Sequence, residues 1–217
     1  MRALILAGGD RPDPTLLDAH WPGWRDADLV IAADGGARHA TPLGLRLHHV
    51  IGDFDSLSAA DIDELEAAGV TVTRFPTNKD ATDTELALLA ALDAGATEVM
   101  LLCTWGGRSD HAIGTLALLA HSRCEAVNVA ILDEQTRTQL LRGGATITLH
   151  GEIGRTISIT PWGGNATVSV TGVRWALDRA VLVAGSTRGI SNVATAAEAV
   201  ITAHDGAVLV SEEGGAA

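Results

Sequence analysis

The feature that most constrains the fold is a regular alternation of short apolar runs and helix-like segments over residues 1–142. Six of the runs are strand candidates: Ala3–Ala7, Asp28–Ala33, His48–Ile51, Val70–Arg74, Glu98–Thr104 and Val127–Leu132. The clearest helical patterns between them are Ala59–Ala68, Thr82–Ala94 and Asp110–His121. Strands that are apolar throughout are typical of parallel sheets, because crossover helices cover both faces. The pattern therefore predicts an α/β domain with a mostly parallel sheet.

The composition and the pattern of apolar residues change after residue 142. The stretch "ATITLHGEIGRTISITPWGGNATVSVTGVRW" (145–175) is rich in Thr, Val, Ile and Gly, and "HDGAVLV" (204–210) places an Asp-Gly turn before another apolar run. Short alternating runs with turn signals predict antiparallel strands. We therefore expect two domains, 1–142 and 143–217. A domain of about 70 residues has a modest core, so the second should pack against the first or against another subunit.

The charge of the chain excludes one class of partner. The 217 residues include 27 acidic and 15 basic side chains, for a formal net charge of -12. Nucleic-acid binding is disfavoured, because no Lys/Arg stripe is available to replace the counterions of the phosphate backbone. A polyphosphate ligand would need a metal ion or a local basic group.

Two further features bear on the compartment. In "MRALILAGGD" only about six apolar residues precede a Gly-Gly turn, which is too short for a signal peptide or a membrane span. Cys103 and Cys124 lie in apolar stretches without metal-ligand spacing, as expected of buried thiols in a reducing compartment. We expect a cytoplasmic protein without membrane contact.

A pair of aspartates follows the third strand candidate, in "HHVIGDFDSL" (48–57). On an extended chain Asp53 and Asp55 would share a face about 7 Å apart. At an effective dielectric constant near 20, two carboxylates about 6 Å apart repel by roughly 3 kcal/mol. The pair is therefore either held by a cation or splayed into solvent as an acidic turn, with Ser56 capping the next helix.

A second acidic cluster opens the helix pattern at 82–94. Thr82 and Glu85 have the spacing of a capping box, and Asp83 in the first turn is favoured by the helix dipole. This local explanation leaves Lys79 and Asp80 without a role. It also leaves a further acidic cluster at the same edge of the predicted sheet, where ligands of open α/β sheets bind.

Two glycine pairs follow other strand candidates. In "AADGGA" (32–37), Gly35 and Gly36 allow the backbone to approach a ligand and Asp34 can accept hydrogen bonds, although a plain strand-to-helix turn is the alternative. In "LLCTWGGRSDHAIG" (101–114), glycines precede a helix start, which is a ready anion site. Arg108 adds a guanidinium group that can bind phosphate through two hydrogen bonds. Asp110 is either a site residue or an ordinary N-cap.

The coincidence of these clusters is more specific than any one of them. Asp53, Asp55 and Asp83 are the hard oxygen ligands that Mg²⁺ takes together with waters and phosphates. Lys79 and Arg108 supply positive charge for the phosphates. The set predicts a metal-bridged polyphosphate with in-line attack by an oxygen on phosphorus. No Walker A sequence and no dinucleotide fingerprint is present.

Taken in order, "ADGGA", "GDFDS", "KDATDTELAL", "GGRSDH", "TGVRWAL" and "STRGISN" resemble the thiamine pyrophosphokinase family over nearly the whole chain. The resemblance implies an α/β domain (1–142) that binds ATP and Mg²⁺, and a β-sandwich (143–217) that binds thiamine and forms a homodimer. It implies transfer of pyrophosphate from ATP to the hydroxyethyl oxygen of thiamine, giving thiamine diphosphate and AMP.

The resemblance also implies roles for individual residues. The metal ligands would be Asp53, Asp55 and Asp83, and the catalytic residues would be Asp80, Asp83, Arg108 and Lys79. The residues on the ATP side would be Asp34, Gly35, Gly36, Arg108 and Asp110. Thiamine, at the subunit interface, would contact Trp175, Ser191 and Asn192, because an indole offers a π face and Ser and Asn offer donors and acceptors. The sequence departs from the family at Thr115, where relatives often carry Asn.

Two other functions stay open at this stage. The same Mg²⁺/ATP site could serve another hydroxymethyl heterocycle, such as a pterin. Alternatively, the chain could be a degenerate member that senses thiamine or a nucleotide without turnover. For the enzyme, a metal-positioned hydroxyl needs no strong general base, and Asp80 or Asp83 could accept the proton late.

Overall fold

The computed structural model describes residues 1–214 and divides into two compact units. The first comprises Met1–Asp18 and Pro22–Asp133, and the second comprises Ala19–Trp21 and the chain from Glu134. The division falls ahead of the expected boundary after Arg142. The intervening segment forms a strand, Thr136–Arg142, whose register partner is Ala207–Glu213 in the second unit.

The first unit contains a six-stranded parallel sheet in the order β6-β5-β1-β2-β3-β4. Its strands are β1 (Arg2–Leu6), β2 (Leu29–Ala33), β3 (His49–Gly52), β4 (Thr71–Arg74), β5 (Glu98–Leu102) and β6 (Asn128–Leu132). Each predicted strand is present, with its ends moved by no more than two residues. The predicted α/β class is therefore confirmed. Buried apolar side chains fill the central strands, and residues 3–6 of β1 have no exposed surface.

Four α-helices accompany this sheet in the chain: α1 (Pro14–His20), α2 (Ala59–Ala67), α3 (Asp83–Asp93) and α4 (Ser109–Leu118). Two short 3₁₀ helices occupy Asp34–His39 and Ser122–Cys124. None of the helices among the described residues is long and apolar enough to cross a membrane. Cys103 and Cys124 are buried free thiols, as predicted.

The helix caps agree with one local prediction and correct another. Thr82 Oγ1 accepts a hydrogen bond from the Glu85 amide at 3.2 Å, so Thr82 caps α3 as predicted. The expectation that Ser56 caps α2 is wrong. Ser58 is the cap, and it forms a reciprocal capping box with Asp61.

The second unit is built from antiparallel strands in two sheets. The strands are β7 (Thr136–Arg142), β8 (Thr146–His150), β9 (Thr156–Pro161), β10 (Ala166–Thr171), β11 (Leu177–Leu182), β12 (Asn192–Val193), β13 (Glu198–Asp205) and β14 (Ala207–Glu213). One sheet has the order β12-β9-β14-β7 and the other β11-β10-β13-β8. A single core takes side chains from both, including Ile157 and Val210 from the first and Val168 and Ile201 from the second. This is the antiparallel sandwich that the resemblance implied.

Candidate active site

A cavity of about 680 Å³ opens at the carboxyl ends of the parallel strands in the first unit. Its walls come from the loops that follow five of the strands, β1 to β5. They include Gly9 after β1, Asp34 after β2, Asp53 after β3, Lys79 after β4 and Thr104 after β5. A parallel sheet brings these loops together because all of its strands end at the same edge.

The two aspartates that follow β3 do not have the extended geometry expected from the sequence. Phe54 has a left-handed backbone with φ 62°, and the Asp55 amide donates to Asp53 Oδ1 at 3.2 Å. The chain therefore turns between the two carboxylates, and they do not share the face of a strand. Asp53 is partly buried in the cavity wall, whereas Asp55 lies at the same wall with its side chain exposed.

Three carboxylates meet at the floor of the cavity. One oxygen each of Asp34, Asp53 and Asp83 lies within 4.8 Å of the other two, and we call this set the acid cluster. Asp34 was expected on the nucleotide side, and the structure adds it to the acid cluster. Adjacent pairing of β2 with β3 brings Asp34 and Asp53 together. The sequence could have indicated this pairing, because Asp34 and Asp53 each lie within two residues of the end of a predicted strand.

Asp34 is held in an unusual position by its surroundings. Its backbone φ is 43°, and a Cβ on Gly52 would lie 2.9 Å from the Cβ of Asp34. Glycine at position 52 therefore makes room for the aspartate. The residue is only 8% exposed, and its buried Oδ1 has no hydrogen-bond partner. A buried carboxylate oxygen without a partner is costly unless a cation or ligand satisfies it.

Lys79 connects two members of the acid cluster. Its Nζ lies 3.1 Å from Asp53 Oδ2 and 3.1 Å from Asp83 Oδ1, and its side chain is 14% exposed. The hydrogen bond from Lys79 lowers the pKa of Asp53. Burial raises the pKa of Asp83, and the charges of Asp53 and Asp34 act in the same direction. Burial alone would lower the pKa of Lys79, but its contacts with Asp83 and Asp53 raise it above the usual value.

The acid cluster fits a divalent metal ion. Three carboxylates around one point, with a buried Asp34 oxygen unsatisfied, form the all-oxygen donor set that Mg²⁺ prefers. The one ammonium beside them does not neutralise three formal negative charges. Asp55, a predicted metal ligand, lines the same cavity with an exposed side chain but lies outside the acid cluster.

Glycines allow the loops around the acid cluster to approach each other closely. A Cβ on Gly36 would lie 2.3 Å from the carbonyl oxygen of Leu6, so this glycine lets the 3₁₀ turn contact β1. Gly35 is less tightly enclosed, with Ser56 Cβ at 3.2 Å. The sequence reasoning missed the role of Gly9, which donates to the Cys103 carbonyl at 2.7 Å and lines the cavity. The sequence feature that could have indicated this role is the glycine pair directly after the first predicted strand.

Arg108 and Asp110 form an exposed pair at the cavity mouth. Helix α4 begins at Ser109 with Arg108 as its N-cap, so the alternative of Asp110 as N-cap is wrong. The guanidinium donates to both Asp110 oxygens, at 3.2 and 2.6 Å. The hydrogen bond from Arg108 lowers the pKa of Asp110 to about 2. An anion that enters this mouth would meet an Arg108 already engaged by a carboxylate.

Asp80 and Thr115, which the sequence analysis also singled out, differ in their relation to the cavity. Asp80 is exposed and is not among the residues that line the cavity. Thr115, at the position where relatives often carry Asn, is 5% exposed and does line it. A hydroxyl therefore faces the region where the family's amide was expected.

The residues predicted to contact thiamine lie in the second unit. Trp175 is 56% exposed, and the Arg174 guanidinium carbon lies over its ring at 5.5 Å from the centroid. Asn192 is buried, and its amide group is engaged with the Trp175 backbone: Nδ2 donates to the Trp175 carbonyl at 2.9 Å and Oδ1 accepts from the Trp175 amide at 3.1 Å. Ser191 is exposed with a left-handed φ of 59°. The geometry makes Asn192 a residue that positions Trp175.

Comparisons with known proteins agree along the chain. Residues 21–131 match a family model described as "Thiamin pyrophosphokinase, catalytic domain", and residues 145–208 match "Thiamin pyrophosphokinase, vitamin B1 binding domain". A thiamine pyrophosphokinase of Bacillus subtilis is 29% identical over 193 residues, which is 87% of each chain. The crystal structure of thiamine pyrophosphokinase from Bacillus subtilis superposes with a TM-score of 0.84, 26% identity and full coverage of both chains. That of thiamin pyrophosphokinase from Geobacillus thermodenitrificans gives 0.81 and 27%, with 98% of this chain and 97% of the other covered.

Proposed function

The chain belongs to the thiamin pyrophosphokinase family, and from this premise we propose that it transfers pyrophosphate from ATP to the hydroxyethyl oxygen of thiamine. The products are thiamine diphosphate and AMP, and the reaction depends on Mg²⁺. The observation that carries the proposal is the acid cluster, which is brought together at the strand ends of the unit that matches the catalytic family model.

Asp34, Asp53 and Asp83 would hold the metal ion, with Asp55 contributing from the rim. When bound, the ion neutralises charge on the polyphosphate and orients it for in-line attack. Gly35, which lines the cavity, lets the backbone approach the nucleotide, and Gly36 lets the same turn pack against β1. Arg108 supplies a second positive charge at the cavity mouth, once the phosphate competes with Asp110 for its guanidinium.

The proton of the attacking hydroxyl has a nearby acceptor. Asp83 lines the cavity as part of the acid cluster, so its carboxylate lies close to an oxygen that would be held at the metal site. Phosphoryl-type transfer needs this proton removed only late, after most of the bond rearrangement. Asp83 is therefore proposed as the acceptor, and the exposed Asp80 has no contact that would give it this role.

The second unit is proposed to bind thiamine and to form the homodimer interface. Trp175 would stack on the thiamine rings, Ser191 would offer its hydroxyl, and Asn192 would fix the indole through the backbone contacts described above. Exposed valines at 181 and 183, which are 51% and 55% accessible, provide apolar surface for association. The cytoplasmic location stays a prediction.

The direct test is a reconstituted reaction. Purified protein is incubated with ATP, Mg²⁺ and thiamine, and AMP and thiamine diphosphate are quantified by chromatography. Omission of thiamine, omission of Mg²⁺ and replacement of thiamine by a hydroxymethylpterin are the three controls. We expect AMP and thiamine diphosphate in equal amounts only in the complete mixture. AMP formation without thiamine, or a preference for the pterin, would contradict the proposal.

A further inference from the structure

Lys79 is the only lysine in the sequence, and it lies inside the acid cluster. The loop after β4 places it four residues before Asp83, and its side chain is largely buried. Sequence reasoning assigned Lys79 to the phosphates of the nucleotide. In the structure its ammonium contacts the Asp53 and Asp83 carboxylates instead.

The ammonium contacts two of the carboxylates that a metal ion would need. It faces Asp53 Oδ2 and Asp83 Oδ1, two of the three carboxylates of the acid cluster. The buried Oδ1 atoms of Asp34 and Asp83 have no hydrogen-bond partner, so the contact of Lys79 with Asp83 is an ion pair without hydrogen-bond geometry. By formal charge the group sums to −3 + 1 = −2. One ammonium thus pairs with two of the three carboxylates and leaves the group attractive to a divalent cation.

We propose that Lys79 is the resident counter-ion of the acid cluster, and that its ammonium competes with a divalent metal ion for the Asp53 and Asp83 carboxylates. Metal binding then releases the ammonium from the ion pairs and makes it available to a polyphosphate. The inference rests on the proposed metal site. The new element is that binding of a metal ion at this site changes the position of the Lys79 ammonium.

A lysine suits this role better than an arginine. An ammonium is a compact, strongly hydrated point charge on a flexible stem, so it can leave a carboxylate at low cost. A guanidinium binds carboxylates through two parallel hydrogen bonds, as Arg108 does with Asp110. Every other permanently basic side chain of the sequence is an arginine, and the single lysine stands where a cation must be displaced.

The first experiment measures metal binding without nucleotide. Mn²⁺ is titrated into the wild type, Lys79→Met and Arg123→Met, and free Mn²⁺ is followed by electron paramagnetic resonance. Arg123 forms an exposed ion pair with Asp93, so Arg123→Met removes the same charge outside the site. We expect Lys79→Met to bind Mn²⁺ at least about tenfold more tightly, since a competing positive charge is gone. Arg123→Met should match the wild type within about twofold.

A second measurement needs no substitution. Reductive methylation with ¹³C-formaldehyde labels two amines, Lys79 Nζ and the N-terminus, and keeps both positively charged. We expect saturating Mg²⁺ to shift the Lys79 methyl resonance and to leave the N-terminal resonance unchanged. A Lys79 resonance that does not respond at a Mg²⁺ concentration known to fill the site would overturn the proposal.

The outcomes separate this inference from the proposed function. If the wild type binds Mn²⁺ and Lys79→Met binds it equally or more weakly, the counter-ion role is wrong while the metal site stands. If neither protein binds Mn²⁺, the metal assignment itself fails and the inference falls with it. Tighter binding by Lys79→Met, abolished when Asp53→Asn is added, supports both.

Discussion

Replacing Asp34 by asparagine should stabilise the metal-free protein and at the same time disable it. Asp34 is buried in the acid cluster and, unlike Asp53 and Asp83, is not paired with Lys79. At an effective dielectric constant near 20, two ionised carboxylates 4.8 Å apart repel by about 3.5 kcal/mol, and Asp34 faces two such neighbours. The ammonium of Lys79 and local relaxation offset most of this repulsion. We therefore expect Asp34→Asn to raise the free energy of unfolding by about 1–3 kcal/mol.

The backbone does not confound this substitution. Asp34 has a φ of 43°, and asparagine adopts left-handed conformations at least as readily as aspartate. In a domain of this size, the expected stabilisation corresponds to a rise in Tm of roughly 2–4 °C per kcal/mol. The same variant should lose the rise in Tm that Mg²⁺ gives the wild type, because one ligand of the cation is gone. Its kcat should fall by at least about 100-fold.

The assay combines thermal unfolding, with and without Mg²⁺, and steady-state kinetics. For the metal-free Tm, Asp55→Asn is the matched control, because Asp55 is exposed and lies outside the acid cluster. Its metal-free Tm should stay within about 1 °C of the wild type. An Asp34→Asn protein that is less stable without metal, and that still gains Tm from Mg²⁺, would refute the reasoning.

Three further predictions concern other parts of the molecule. Trp175→Ala should raise the KM for thiamine at least about tenfold and leave the KM for ATP and the Tm unchanged, since the ring is 56% exposed; an unchanged thiamine KM would return Trp175 to a structural role. Gly36→Ala should lower stability by about 1–3 kcal/mol in denaturant unfolding, because its Cβ would lie 2.3 Å from a backbone oxygen. Gly35→Ala should lose less, because its Cβ would meet Ser56 Cβ at the longer distance of 3.2 Å; equal losses would contradict the packing argument. Burial raises the pKa of Asp83. Above that pKa the ionised carboxylate lowers the free energy of unfolding, and below it this cost disappears. Metal binding needs the ionised carboxylate, so the affinity for the metal falls as the pH falls. The Mg²⁺-induced rise in Tm should therefore shrink as the pH falls and Asp83 becomes protonated, and a constant rise would count against Asp83 as a ligand.

Much of the fold was predictable because its causes are local in sequence. The strands of the first unit are apolar runs whose periodicity and length identify them, and the cap at Thr82 follows from its spacing to Glu85. The sheet edge that carries the site was predictable for the same reason. Parallel strands separated by helices bring all their carboxyl ends to one edge, whatever the details of the loops.

The details of the site depended on contacts that spacing does not encode. The left-handed Phe54 turns the chain between Asp53 and Asp55, so the carboxylate nearest in sequence is not the nearest partner. Asp34 joins the acid cluster because β2 lies beside β3. Such neighbours are set by strand order, which apolar periodicity leaves open.

The sequence by itself determined the class of each unit, the edge of the sheet where chemistry is possible and the residue types available there, because these follow from short-range periodicity and turn chemistry. Only the tertiary structure decided which carboxylates meet, that Lys79 pairs with two of them, and that Asn192 fixes the backbone of Trp175. The physical reason is that interactions between charges and polar groups act over a few ångströms. Residues far apart in the chain come within that distance only when the sheets have assembled.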